Sequence, residues 1–160
     1  MTPTTSPLQV CIRDATPADL DALLACDPLA MQRLQWLHHA LDSGSVFLAQ
    51  VVSQVVGFAV LEHTFFGHGF VSLVAVAPDQ RRRGGATSLL RAARTRCRTH
   101  KLFTSTNQSN LAAQALFDRV GFAPSGSIFN LDPGDPEVVY FMDVAAAAES
   151  VCPASASDQE

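Results

Sequence analysis

Residues 71–86, VSLVAVAPDQRRRGGA, constrain this chain more than any other stretch. Leu73, Val74 and Val76 form an apolar, β-branched run that reads as a buried strand. Pro78 has no N–H for a ladder and ends it. Arg81-Arg82-Arg83-Gly84-Gly85-Ala86 then opens an Ala/Leu/Arg run of helical character. A strand, a basic glycine-containing turn and a helix start bring backbone N–H groups together where the helix dipole also favours an anion. Gly84 and Gly85 permit positive φ and let a diphosphate reach the main chain without meeting a Cβ. Arg81, Arg82 and Arg83 add charge-assisted contacts to the same anion. A solvated basic turn is the competing reading, and the turn by itself does not decide between them.

The distribution of charge narrows the ligand. The net charge is −4, yet eight of the eleven Lys/Arg residues lie between Arg81 and Lys101. A compact basic face on an acidic protein suits a small polyanion, and no aromatic residues interleave with it as a nucleic-acid platform requires. The sequence therefore predicts no nucleic-acid partner. A chain of 160 residues is one domain's worth, and no apolar run approaches the roughly 20 residues of a membrane span. MTPTTSPLQ has neither a basic nor an apolar leader region, so a cytoplasmic protein is expected. Cys11, Cys26, Cys97 and Cys152 have no metal-ligand spacing and read as reduced thiols. No metal site is expected.

In chain order, residues 1–7 read as a disordered lead-in, 8–145 as one domain and 146–160 as a disordered tail. Leu8, Val10 and Ile12 alternate into a first strand. Thr16 caps a helix with Pro17 at its first position, and a second helix spans 30–41. Runs 46–52 and 55–61 form a hairpin around Ser53-Gln54, Gly67-His68-Gly69 makes the next turn, and the organising strand starts near Phe70. The following helix turns Leu89, Leu90, Ala93 and Cys97 inward. After a short strand at 101–104, Ser109 caps a helix whose Leu111, Ala115, Leu116 and Val120 face the core, and Gly121 stops it. A strand runs from Phe122 to Phe129, a long turn covers 130–136, and 138–144 is the last strand. The order β-α-α-β-β-β-α-β-α-β-β predicts an α/β (α+β) fold, a mixed sheet with helices on both faces.

Two motifs in that order resemble the GNAT superfamily of acyl-CoA-dependent N-acyltransferases. The family's Arg/Gln-x-x-Gly-x-Gly/Ala signature is matched by Arg81 to Ala86. Its Asn-x-x-Ala-x-x-Leu/Phe-Tyr-x-x-x-Gly-Phe block is matched by Asn110, Ala113, Leu116, Phe117, Gly121 and Phe122. The resemblance covers about residues 10–144 and implies a single twisted mixed sheet of about seven strands, with acetyl-CoA as donor. It implies that backbone N–H groups of Arg81, Arg82, Arg83, Gly84, Gly85 and Ala86, with Thr87, hold the pyrophosphate. Val74 and Val76 would offer strand-edge groups to the pantetheine arm, and an N–H near Val74 would polarise the thioester. Asn110 would bond the pantetheine or fix the helix start. Phe117 lines the cofactor site where the family often has its general-acid Tyr, and Ser72 stands where a Glu base is frequent.

Acetyl transfer to an amine needs a neutral nucleophile, so the remaining candidates are proton acceptors and donors. Glu62 is the leading base, against the alternative of a solvated strand end; His63 and His68 are substitutes or surface histidines. Tyr140, the only tyrosine, either donates a proton or packs. Asp135 and Glu137 either draw in a cationic amine or build a turn, and Trp36 either lines the acceptor groove or joins the core. Phe65 and Phe66 suggest an apolar lip or a subunit contact, and hence a possible homodimer. The expected reaction is direct transfer in a ternary complex to a primary amine of a small molecule or a peptide N-terminus. A non-catalytic acyl-CoA sensor is the alternative.

Overall fold

A computed structural model of the protein describes residues 9–144; the two expected disordered ends and Cys152 lie outside the described residues. The elements are β1 (Val10–Asp14), α1 (Leu20–Cys26), α2 (Leu34–Asp42), β2 (Val46–Val51), β3 (Gln54–Phe65), β4 (His68–Val76), α3 (Gly85–Arg96), β5 (Lys101–Asn107), α4 (Leu111–Val120), β6 (Ala123–Ile128) and β7 (Glu137–Asp143). Their order is the one the sequence predicts. They build one seven-stranded sheet, β1-β2-β3-β4-β5-β7-β6. Every neighbouring pair is antiparallel except β4 and β5.

Strand alternation gives the sheet two different faces. Along β3, Phe58 and Val60 join Leu23, Leu37 and Leu41 under α1 and α2. Ala59 and Leu61 turn the other way and join Leu89, Leu90 and Ala93 of α3 and Phe117 of α4. Side chains such as Phe58 and Leu90 are fully removed from water, each stabilising the fold by roughly 1.5–3 kcal/mol. β6 ends the sheet with every residue exposed, and its register slips between Pro124 and Gly126.

Several boundaries differ from expectation, for local reasons. The β2–β3 turn is Val52-Ser53, one residue early, with Val52 at φ +58. β3 runs on to Phe65, and Phe66-Gly67 makes the next turn with φ of +49 and +78, as tight hairpins of primed type require. Gly69 is therefore inside β4, and its reason is contact: a Cβ there would sit 2.5 Å from the Cys97 sulfur. β5 extends to Asn107 because β7 pairs with it along its whole length. Asn110, not Ser109, caps α4. The buried side of α4 is Phe117, flanked by partly buried Ala113, Leu116 and Val120, while Leu111 and Ala115 are exposed.

At the entry to α1, both carboxylate oxygens of Asp19 accept from the Arg13 guanidinium, at 2.8 and 2.9 Å, and the Thr16 N–H donates to Asp19 at 2.8 Å. These bonds hold the Asp19 carboxyl at about 2. The depressed value means the unfolded chain binds this proton more readily, so the contribution is present above the ordinary carboxylate range and disappears as pH falls toward about 2. Acid titration of stability should show this limb, and Asp19→Asn should flatten it. Gly69→Ala should destabilise by about 1–3 kcal/mol in urea unfolding through overpacking. Adding Cys97→Ala should recover part of that loss.

Candidate active site

The sheet opens beside its single parallel pair. β4 pairs with β5 only through Gly69↔Leu102, Phe70↔Phe103 and Val71↔Thr104. On its other side β4 faces β3 with Val71↔Leu61 and Leu73↔Val60, which leaves Ser72 as an unmatched residue, a β-bulge. Buried Thr104 donates its hydroxyl to Val71 O at 3.0 Å, across the last joined pair. Beyond it β4 continues to Val76 and β5 to Asn107 without pairing, so the strands diverge into a wedge.

The direction of the edge groups follows from one bond. Ala77 N–H donates to Val56 O of β3 at 2.9 Å. Alternation then turns Ala75 and Leu73 toward β3, and Val74 and Val76 toward the wedge. Arg81 Nε reaches Val76 O at 3.4 Å, as that orientation requires. The Val74 N–H and C=O and the Val76 N–H thus face the wedge without a strand partner, while the Val76 carbonyl is met by Arg81.

At the mouth of the wedge, a short turn at Pro78–Gln80 leads through Arg82 (φ +63) and Gly84 (φ +84) into α3. Gly84 is the N-cap, with no side-chain acceptor, and the first ladder bond is Ser88 N–H to Gly84 O at 3.0 Å. The N–H groups of Gly85, Ala86 and Thr87 are left for a ligand. Arg81, Arg82 and Arg83 are exposed, and none is paired with a carboxylate among the described residues. This chemistry fits a diphosphate. The expected positive φ at Gly85 is not found: the second left-handed residue is Arg82, and a Cβ on Gly85 would make ordinary contact with Val76 at 3.8 Å.

The remaining candidates divide between the two faces. Glu62 lies within β3 opposite Phe70, not at a strand end, and alternation puts it on the α1/α2 face with Phe58 and Val60. Trp36 is half-buried against the same core as Leu73 and Ala75. Glu137 opens β7 opposite Asn107, while Ser72 Oγ faces Val60 O at 3.5 Å.

Three candidates have local partners that match the structural one of the two roles expected for each. Asp135 spends both carboxylate oxygens on Ser109, accepting from its N–H at 3.0 Å and its hydroxyl at 2.6 Å, so it straps the β6–β7 loop to the start of α4. Tyr140 lies on the α3/α4 face, 3% exposed, with its ring 5.2 Å from Phe117 and its hydroxyl donating to Gln114 Oε1 at 3.4 Å. Burial, with Asp118 nearby, pushes its pKa up. These surroundings make it a packing residue. His63 Nε2 accepts the Arg98 N–H at 3.1 Å, and burial with the Arg98 charge holds its pKa below the usual value. Its free lone pair is already used. Asn110 takes the second of its two expected roles, accepting from Ala113 N–H at 3.1 Å to start α4. Thr104 and Gln114 went unnoticed because nothing in their local sequence distinguishes a buried hydroxyl or amide from any other.

A mixed sheet split beside its one parallel pair, with an anion-binding turn at the mouth, offers strand-edge groups and a diphosphate cradle to one extended ligand. The chain belongs to the GNAT family of acetyltransferases, whose family model matches residues 13–122. It is 33% identical to a GNAT-family acetyltransferase from Bacillus cereus ATCC 10987, over 84% of this chain and 97% of that one, with a TM-score of 0.80. It shares the fold of the ribosomal-protein-S18-alanine N-acetyltransferase from Escherichia coli, at 18% identity and TM-score 0.71, over 94% of this chain and 100% of that one. It also shares the fold of yncA from Salmonella typhimurium, solved with its cofactor acetyl-CoA, at 17% identity and TM-score 0.67, over 84% and 94% of the two chains. No curated protein matches the sequence.

Removing the α4 cap by Asn110→Ala should cost about 1 kcal/mol in denaturant unfolding, and Asn110→Asp should restore most of it.

Proposed function

We propose that the protein transfers an acetyl group from acetyl-CoA directly to a primary amine on a small molecule or peptide, with both substrates bound together. The wedge carries this reading. Val74 and Val76 offer ladder groups to an extended arm, and the N–H groups of Gly85, Ala86 and Thr87 follow three exposed arginines that have no carboxylate partner among the described residues. Bound there, acetyl-CoA supplies an electrophilic thioester carbonyl and a thiol leaving group of pKa about 8.5.

The chain's own residues do the rest. The N–H of Val74, aimed into the wedge two residues past the bulge, polarises the carbonyl. Glu62, two residues along β3 from Val60, takes the proton of the ammonium, whose pKa of about 10.4 keeps it charged near neutral pH. Phe117 has no proton to give and the Tyr140 hydroxyl is committed to Gln114, so reprotonation of sulfur is left to water. None of the described cysteines lies at the bulge; Cys11 is on β1, Cys26 ends α1 and Cys97 follows α3, which favours a ternary complex over an acetylated thiol. Ser72 and Phe117 favour a second reading, a sensor that binds acyl-CoA without turnover, because two frequent proton-transfer groups of the family are missing.

Thiol release from acetyl-CoA across an amine panel separates the two readings. Turnover that depends on amine and rises toward the amine pKa supports transfer; binding without release supports the sensor. Glu62→Gln should lower kcat about 100-fold with little change in acetyl-CoA affinity. An unaltered rate would reassign the base.

A further inference from the structure

A row of phenylalanines crosses the part of the sheet that α1 and α2 leave bare. Phe70, Phe103 and Phe141 stand in register on β4, β5 and β7, and Glu62 faces Phe70 from β3. Register partners point to the same face, so the carboxylate and the three rings form one line. Their strand neighbours Leu61, Val71, Leu102 and Met142 belong to the α3/α4 core, which puts the row on the opposite face. Phe65 joins it, stacked on Phe70 at 4.6 Å and 5.2 Å from Phe103. None of these phenylalanines belongs to either core, and each is half-buried.

The row abuts the wedge. Phe70↔Phe103 is the pair just before Val71↔Thr104, where β4 and β5 part, and the bulged Ser72 follows. We infer that this row seats the body of the acceptor, and that the acceptor is an amine carrying an aromatic ring. Its ammonium sits beside Glu62 and its ring lies over Phe70 and Phe103. The inference rests on the acetyl-transfer reading above.

Charge and shape select that occupant. Glu62 supplies the anionic end of the row, while at the far end Lys101 Nζ already lies 5.8 Å over the Phe141 ring, so a second cation is disfavoured there. With strands about 4.8 Å apart, Glu62 to Phe103 spans roughly 10 Å, the length of an ammonium, a short linker and a ring. Stacked and tilted rings offer flat or edge contact to another ring rather than a cavity for a branched chain. His68 leans on Phe103 at 5.9 Å, and its buried Nδ1 has no partner among the described residues, leaving a hydrogen-bonding atom at the ring end.

The test measures thiol release at saturating acetyl-CoA with 2-phenylethylamine, tyramine and tryptamine against n-butylamine, n-hexylamine and putrescine. The best aromatic amine should exceed the best aliphatic one in kcat/KM by about tenfold or more. Phe103→Ala should collapse that ratio to within about twofold by raising KM for the aromatic amine, and Phe103→Leu, which removes the ring but keeps a large apolar side chain, should do the same if the alanine variant fails to fold. Equal kcat/KM for the two classes, or a ratio that survives Phe103→Leu, overturns the inference while leaving acetyl transfer intact. No rise in melting temperature with acetyl-CoA and no thiol release with any amine overturns both. A dimer that Phe103→Leu dissociates without changing amine preference assigns the row to a second copy of the chain and overturns the acceptor role.

Discussion

The end of pairing between β4 and β5 is the constraint on which the rest depends. Main-chain N–H and C=O groups inside a fold must find partners, and a continuous sheet would give Val74 and Val76 theirs. The bulge at Ser72 and the hydroxyl bond from Thr104 to Val71 stop the pairing after three residues, and the protein leaves those groups for something extended to complete. The arginine-rich turn then lies at the end of the open strand edge because the same strand runs straight into it. The open strand edge and the free helix N-terminus thus belong to one strand and the helix that follows.

The two faces of the sheet divide the labour. The α3/α4 side is filled with Leu89, Leu90, Phe117, Tyr140 and Met142 and supports the open strand edge from behind. The α1/α2 side is covered only in part, over β2, β3 and the end of β4. Its bare portion, adjoining the wedge, carries Glu62 and the aromatic side chains. In the proposed reaction, an acceptor on this face would reach the carbonyl of a donor held between the strands from a separate direction, as attack by a second bound substrate requires.

Much of this was legible in the chain itself. The alternation of apolar runs with Gly, Pro and capping residues revealed all eleven elements in order, and Arg81–Gly85 and Asn110–Phe122 marked the donor turn and α4. What escaped notice depends on partners distant in sequence. A bulge exists only as a mismatch between strands, so Ser72 could be singled out by its place in the family pattern but not as the bulged residue. Glu62 looked terminal because His63 and Thr64 are polar, whereas β3 continues to pair until Phe65. Asp135 has turn chemistry, and only the fold shows that Ser109 consumes its carboxylate. The spacing of Phe70, Phe103 and Phe141 carries no local period, since register across three strands brings them into line.

The exposed last strand has its own consequence. β6 holds a proline and a register slip along the rim of the sheet, two devices that spoil a rim as a template for another strand. Lateral growth by backbone addition is therefore discouraged on that side. Association at that rim is thereby biased toward side-chain contacts and away from open-ended strand stacking.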